Sequence, residues 1–273
     1  MSRDALRPAV SAALDAWAAR VRANREQVDR VREVEDGDFY APLATLFRYE
    51  PERPDEAVLA VLRSMVRPGE DVLDVGCGGG RYALPLAALA HRVTCVDPSL
   101  AMLRVLRAGI AELHVSNLEV MEARWPIAGV APQADVALMA NVGNDIEDIG
   151  GFLDALERSA RRLCIAVLLE TPPPAAFDAL WPEVHGETRA SLPALPELLA
   201  LQLARGRLCE VRLLEHRAER IDPDALLRRA RRQLWVREGE AKDDALRQLL
   251  GREGITPGLR RVGIVSWDTS IRS

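Results

Sequence analysis

The chain has 273 residues, 48% of them hydrophobic and 28% charged, with a formal net charge of −5. That length suits one large α/β domain or two small ones, and the balance excludes a disordered chain. A mildly acidic protein without a basic tract lacks the electrostatic footprint of a dedicated nucleic-acid binder.

Residues 1–54 read as a helical cap. Ser11 is placed to cap a helix whose apolar points are Ala12, Leu14, Trp17, Val21 and Val28. The helix is expected to fade near Asp36-Gly37-Asp38. Phe39 and Tyr40 then stand in a break before Pro42, and a short apolar stretch runs to Phe47. Pro51 and Pro54 mark the boundary with a larger unit, 55–273, which opens with a helix from Asp55 to Val66 ending at Pro68-Gly69.

From there strands and helices alternate. Val72–Val75, Val93–Val96, Leu118–Val120, Val136–Met139 and Leu163–Leu169 read as strands, the last apolar throughout and so buried on both faces. Helices are expected over Arg81–Ala90, from the cap Ser99 to Arg107, and over Phe152–Arg161. Asp145, Glu147 and Asp148 precede the third, where acids suit the helix dipole. Such alternation predicts a doubly wound, mostly parallel sheet with right-handed crossovers.

Thr171-Pro172-Pro173-Pro174 interrupts the pattern, since proline continues neither strand nor helix. Residues 171–196, which include Trp181 and His185, are expected to form an irregular insertion above the sheet. A helix from Glu197 to Ala204 follows, then a strand at Val211–Leu214, a helix over Asp224–Leu234 with Pro223 at its first turn, and a strand at Leu259–Trp267. The Arg228–Arg232 cluster reads as a solvated helix face.

The four cysteines, Cys77, Cys95, Cys164 and Cys209, form no CxxC pair and have no histidine set beside them, which argues against structural zinc. Three lie in apolar, strand-like runs and read as reduced, buried side chains. No apolar run reaches the length of a bilayer span, and Met1–Val10 has no secretory h-region, so a cytoplasmic protein is expected. Lys242 is the only lysine, a bias that codon usage and heat adaptation explain equally well.

The strongest signal is Val72-Leu73-Asp74-Val75-Gly76-Cys77-Gly78-Gly79-Gly80-Arg81. A strand enters four glycines among five residues and a helix follows. Such a loop turns sharply, lets a ligand approach the backbone, and offers it the unpaired N–H groups at the helix start. A tight turn chosen for packing needs one glycine, not four. A dinucleotide fingerprint, GxGxxG, would place its third glycine at Arg81, which weakens a pyrophosphate reading. Asp97, at the end of the second strand, suits ribose hydroxyls and repels a 2′-phosphate. Asp74, just before the loop, favours a cationic ligand over a phosphate. Together they point to an adenosine-like nucleoside carrying positive charge.

Val72–Arg81 resembles the first motif of class I S-adenosylmethionine-dependent methyltransferases, of the form (V/L)LDxGCGxG. Val96-Asp97-Pro98-Ser99-Leu100-Ala101-Met102-Leu103 is similar to that family's next motif, Glu122-Ala123-Arg124-Trp125-Pro126 to its third, and Asp135–Asn141 to its fourth strand. The resemblance covers about residues 57–170. It implies a Rossmann-like sheet of seven strands, the last antiparallel, with S-adenosyl-L-methionine as cofactor. It places Asp74, Gly76, Cys77 and Gly78 along the methionine part, Asp97 on the ribose with Pro98 and Met102 nearby, Glu122 and Ala123 at the adenine, and Asn141 near the sulfonium. The fourth motif reads Met139-Ala140-Asn141-Val142-Gly143. It lacks the Asn-Pro-Pro-Tyr of enzymes acting on exocyclic amines of DNA and some protein amides, so those substrates are disfavoured.

The sulfonium is already activated, so catalysis can rest on holding a nucleophile in line and excluding water. Candidate catalytic residues lie in loops over the strand ends: His185 as a base, Tyr40 as a ring over the sulfonium, and Glu170 at the end of the fifth strand. The alternatives are that His185 is an exposed or packed loop histidine, Tyr40 an anchor for the N-terminal helix and Glu170 solvent-facing, with Trp181 either a pocket wall or insertion packing. The expected partner is a small-molecule methyl acceptor, with no nucleic acid, no membrane and no metal; a homodimer is left open. Methylation of RNA or protein, a non-catalytic cofactor-binding module and, more distantly, a nicotinamide-dependent dehydrogenase are the alternatives.

Overall fold

The computed structural model describes residues 3–33, 37–50, 56–217, 222–253 and 259–269. Seven strands form one sheet: β1 (Asp71–Val75), β2 (Arg92–Asp97), β3 (Leu118–Glu122), β4 (Ala134–Ala140), β5 (Ala160–Leu169), β6 (Cys209–Arg217) and β7 (Leu259–Asp268). Their order is β3-β2-β1-β4-β5-β7-β6. β1 to β5 are mutually parallel, and β7 runs antiparallel between β5 and β6. The sheet is thus the seven-stranded, Rossmann-like one expected, with an antiparallel last strand. Strand order reverses between β1 and β4, which makes the crevice beyond their carboxyl ends the natural ligand site. Register pairs Val75 with both Val96 and Met139, and Asp97 with Glu122, so the chemistry-bearing ends arrive together.

The helices are α1 (Arg3–Val31), α2 (Glu56–Met65), α3 (Ala83–Leu86), α4 (Leu100–Glu112), α5 (Ile149–Ser159), α6 (Trp181–His185), α7 (Leu195–Ala204), α8 (Pro223–Leu234) and α9 (Ala241–Glu253), with 3-10 turns at Ala41–Phe47 and Pro173–Leu180. Ser99 caps α4, its hydroxyl accepting from Met102 N, and Asp148 caps α5, accepting from Gly151 N. One face of the sheet buries Phe152, Leu153 and Leu156 of α5, Leu195 and Leu198 of α7, and Trp17 and Val21 of α1. The other buries Leu62 of α2, Leu84 and Leu86 of α3, and Leu103 and Leu106 of α4. None of the helices among the described residues is long and apolar enough to cross a membrane.

α1 begins eight residues before the expected cap Ser11 and carries Pro8 in its interior. It is packed into the sheet's own core. Trp17 is 2% exposed and donates from Nε1 to the Ile146 carbonyl at 2.9 Å. Below it, Arg20, Asn24 and Gln27 donate to the carbonyls of Leu192 (2.9 Å), Ala190 (2.6 Å) and Thr188 (2.8 Å). The expected boundary at Pro51 and Pro54 lies outside the described residues.

Four local expectations are corrected. The helix expected over Arg81–Ala90 shrinks to Ala83–Leu86, where Pro85 withholds an N–H. Residues 171–196 are more ordered than expected. Prolines at the first positions start the turn Pro173–Leu180 and then α6, which ends at Gly186 with φ +76°. α9 was not foreseen; its apolar points Leu246, Leu249 and Leu250 are sparse among charges. Of the α8 arginines Arg228 is exposed as expected, but Arg231 and Arg232 are not part of a solvated face. Arg231 pairs with Asp243 through two bonds of 2.7 and 2.8 Å, and Arg232 is 8% exposed. Cys95 and Cys164 are fully buried, Cys77 is 7% exposed, Cys209 is partly exposed, and all four are free thiols.

Candidate active site

The site is built from the turn after β1. Gly76 and Gly78 take φ of +72° and +53°, values that L side chains rarely adopt. Gly76 N donates to the Val96 carbonyl at 2.7 Å, tying the loop to β2. A Cβ on Gly76 would come within 2.3 Å of Val142 Cγ2, and one on Gly79 within 2.3 Å of the Phe47 carbonyl oxygen. Those two glycines let the loop after β4 and the segment before Arg48 close on the glycine turn. At Gly78 a Cβ would meet nothing nearer than Met102 Sδ at 3.8 Å. That is an ordinary contact distance, so the turn is least crowded at Gly78, where it forms a cradle.

Asp97, at the end of β2, is 7% exposed. One oxygen accepts from Gly78 N at 2.9 Å and the other from Ser99 N at 2.8 Å. Burial pushes its carboxyl up and the two N–H groups pull against that shift. Asp74 is 2% exposed, and its Oδ1 has no hydrogen-bond partner. Burial, and then the nearby charge of Asp97, push its carboxyl up to about 7. A buried acceptor left unmatched beside the glycine turn calls for a donor or a cation from a ligand. Cys77 lies alongside, its thiol held well above the usual range by a hydrogen bond with the free thiol of Cys95 and by burial. It is a packed thiol, not a nucleophile.

The segment 37–50 closes the cradle. Asp38 accepts from Ser99 Oγ at 2.6 Å, Ala101 N at 3.3 Å and Tyr40 N at 3.0 Å, so it clamps the start of α4. Burial would raise its carboxyl, but these donors hold it below the usual range. Arg232 Nε donates to the Phe39 carbonyl at 2.8 Å, and its guanidinium lies over the Phe39 ring at 4.5 Å. Tyr40 stands edge-to-face with Phe39 and Phe47. Its hydroxyl is pushed well above the phenol range by burial and by Asp145, Asp97 and Asp38. Tyr40 is thus brought to the same place as Asp97.

The remaining expected residues divide. Asn141 ends β4 with φ +55°, its N–H on the Val167 carbonyl at 2.8 Å and its side chain exposed. Glu122 is exposed at the end of β3, Ala123 N donates to the Asp97 carbonyl at 3.2 Å, Pro98 is exposed, and Met102 is 3% exposed beneath Gly78. His185 is not brought to this group. Its Nε2 donates to the Leu234 carbonyl at 2.8 Å, its ring lies 4.4 Å from that of Trp181, and burial lowers its pKa. Trp181 is wholly buried under the Arg189 guanidinium and packs the insertion. Glu170 is exposed and pairs with Arg261 of β7 at 3.3 Å. Sequence reasoning missed Asp38, which it took for a helix stop. It also missed Asn144, 7% exposed, which donates to the Pro193 carbonyl at 2.6 Å and braces the β4 loop. No cluster of metal-ligating residues occurs among the described residues.

Residues 72–162 match a family model described as a methyltransferase domain. Among curated proteins, the chain is 28% identical over 126 residues to a probable cobalt-precorrin-6B C(15)-methyltransferase (decarboxylating) of Methanobrevibacter smithii, covering 44% of this chain and 67% of that one. It is 33% identical over 112 residues to a ubiquinone biosynthesis O-methyltransferase of Methylocella silvestris, covering 40% and 44%. The chain spans about half the length of several curated relatives that it matches. Its fold resembles that of an S-adenosylmethionine-dependent methyltransferase from Thiobacillus denitrificans, with TM-score 0.55, 18% identity, and coverage of 86% of this chain and 99% of that one. Residues 72–162 thus carry a methyltransferase domain, and the sheet has the class I fold of that S-adenosylmethionine-dependent enzyme.

Proposed function

We propose that this chain transfers a methyl group from S-adenosylmethionine to a small-molecule acceptor by in-line displacement. The observation that carries the reading is Asp97, fixed by Gly78 N–H and Ser99 N–H beside the unpartnered Asp74. Asp97 would take the ribose hydroxyls and Asp74 the amino group of the methionine part, with Gly76, Cys77 and Gly78 along its backbone. Glu122 and Ala123 would face the adenine, with Met102 and Pro98 framing the ring system. Asn141 would lie at the sulfonium, under the Tyr40 ring, whose face attracts a cation. Bound S-adenosylmethionine supplies an activated methyl group, so the protein has to orient the acceptor and exclude water. The segment 37–50, clamped by Asp38 and Arg232, covers the cradle and favours acceptors small enough to pass beneath it. Curated relatives named for cobalt-precorrin-6B and for ubiquinone biosynthesis support the same choice, while another, a protein-L-isoaspartate O-methyltransferase of Ruegeria pomeroyi, is named for a protein acceptor.

The test is transfer of labelled methyl from S-adenosylmethionine in the presence of a metabolite extract, RNA or protein. Label in the metabolite fraction is expected. Label in RNA or protein alone, or cofactor binding without turnover, would overturn the reading.

Asp74 gives this binding a pH dependence. The amino group of S-adenosylmethionine favours the ionised carboxyl, whose value sits at about 7. Affinity is therefore expected to rise as pH increases through that value, and Asp74→Asn to flatten the profile, as titration calorimetry would show. The cofactor-free protein has the opposite slope. The folded value of Asp74 lies above the ordinary 3.8, so its contribution to stability is complete below 3.8 and is lost as pH rises through about 7.

A further inference from the structure

The outer edge of the sheet is uncovered. β6 is hydrogen-bonded on one side only, to β7, in a register without a bulge and with no proline over its nine residues. The main-chain N–H and C=O groups of its other side have no strand partner among the described residues. The strand is seated by Cys209, which packs on the α5–α7 face, and by Leu214, which packs on the other. Between them Glu210, Val211, Arg212 and Leu213 are all exposed. Val211 is 40% and Leu213 61% exposed, and Leu203 in the last turn of α7 and Leu208 in the turn into β6 are more exposed still. Half of the large hydrophobic side chains exposed among the described residues thus fall between 203 and 213. Apolar surface concentrated along an unbroken edge strand marks a surface built to be covered.

We propose that this edge is a dimer interface, in which β6 pairs antiparallel with β6 of a second copy of the chain and joins the two sheets into one. A two-fold axis between antiparallel strands keeps each face of the sheet on its own side, so the axis passes between one residue and its own copy. Centred on Leu213, it sets Leu213 against its copy, Val211 against Glu215 and Arg212 against Leu214. No like charges are opposed, and Arg212 stays neutralised by Glu210 of its own strand at 2.8 Å. Centring on Arg212 would oppose two guanidinium groups, and centring on Leu214 would set Leu213 against the Glu215 carboxylate. The charges of the strand, Glu210, Arg212, Glu215 and Arg217, cancel, whereas the whole chain carries −5. This match of the strand to itself, in register and in charge, points to a second copy as the occupant and not to a foreign strand. β6 runs parallel to β1–β5, so in the second copy those strands run the opposite way and the two cradles open at opposite ends of the joint sheet. Neither site draws on the other subunit.

Sedimentation of the intact chain between about 1 and 100 μM tests this. A species of twice the 30.1 kDa chain mass is expected. Leu213→Lys brings two ammonium groups face to face at the axis and is expected to weaken association by more than about a hundredfold, leaving the monomer. Val211→Lys adds the same charge two residues away, but opposite the Glu215 carboxylate, and is expected to keep the dimer. Both side chains are exposed in the single chain, so both variants should keep the parent's circular dichroism spectrum. A parent chain that stays monomeric throughout that range overturns the proposal. So does a Leu213→Lys variant that still dimerises, or a Val211→Lys variant that dissociates as readily as Leu213→Lys.

Discussion

Asp97→Ala is expected to weaken binding of S-adenosylmethionine and of its demethylated product by on the order of a hundredfold. Hydrogen bonds to a charged group contribute about 1.5–3 kcal/mol each, or roughly 10- to 150-fold in affinity. The variant loses those made to ribose. It also releases the donors that Asp97 holds in the protein, Gly78 N and Ser99 N, both within 2.9 Å. Gly78 then has no acceptor to fix its φ of +53°, and the cradle loses its shape before any ligand arrives. Two N–H groups, one buried and one partly buried, left without acceptors cost about 1–3 kcal/mol each, so thermal stability falls as well. Asp97→Asn keeps one acceptor oxygen and should be intermediate in both respects. Calorimetry with the two ligands and a thermal melt measure the two effects separately. Unchanged affinity in Asp97→Ala would refute the ribose assignment even if the melt shifts.

Trp17→Ala is expected to cost about 3–5 kcal/mol of stability, the usual range for truncating a large buried aromatic. Trp17 is 2% exposed and shares a core with Phe152, Leu153 and Leu195. Its indole N–H holds the Ile146 carbonyl at 2.9 Å, in the loop that also carries Asn141 and Asp145. The variant should therefore lose acceptor turnover along with stability, while calorimetry finds cofactor affinity less affected. Urea unfolding would decide the first point. A loss below about 1 kcal/mol would mean that α1 is an appendage and not part of the core.

The order of residues made much of this protein legible. All seven strands follow from short apolar runs bounded by glycine, proline or polar breaks, because period and burial are local properties of the chain. Ser99 as a cap and Pro223 at the first turn of α8 were readable for the same reason. The cradle was readable because its chemistry is written in contiguous residues: glycines where φ is positive, an acid before them, and a second acid at the end of the next strand.

What could not be read depends on which distant segments meet. Asp38 looked like a helix stop, yet it holds Ser99, 61 residues away, at 2.6 Å. Arg231 and Arg232 of α8 looked solvated until Asp243 and the Phe39 ring came to meet them. His185 and Tyr40 were both candidates as loop residues over the strand ends. Folding sent His185 into the apolar cluster of Trp181 and Leu234, and Tyr40 to the carboxylates of the cradle. Local propensity and periodicity fix the elements, whereas hydrogen bonds and charges act between atoms that only the packed chain brings within a few ångströms. That is why the cofactor cradle was visible in one dimension, and the assignment of Asp38 and Tyr40 to its edge needed three.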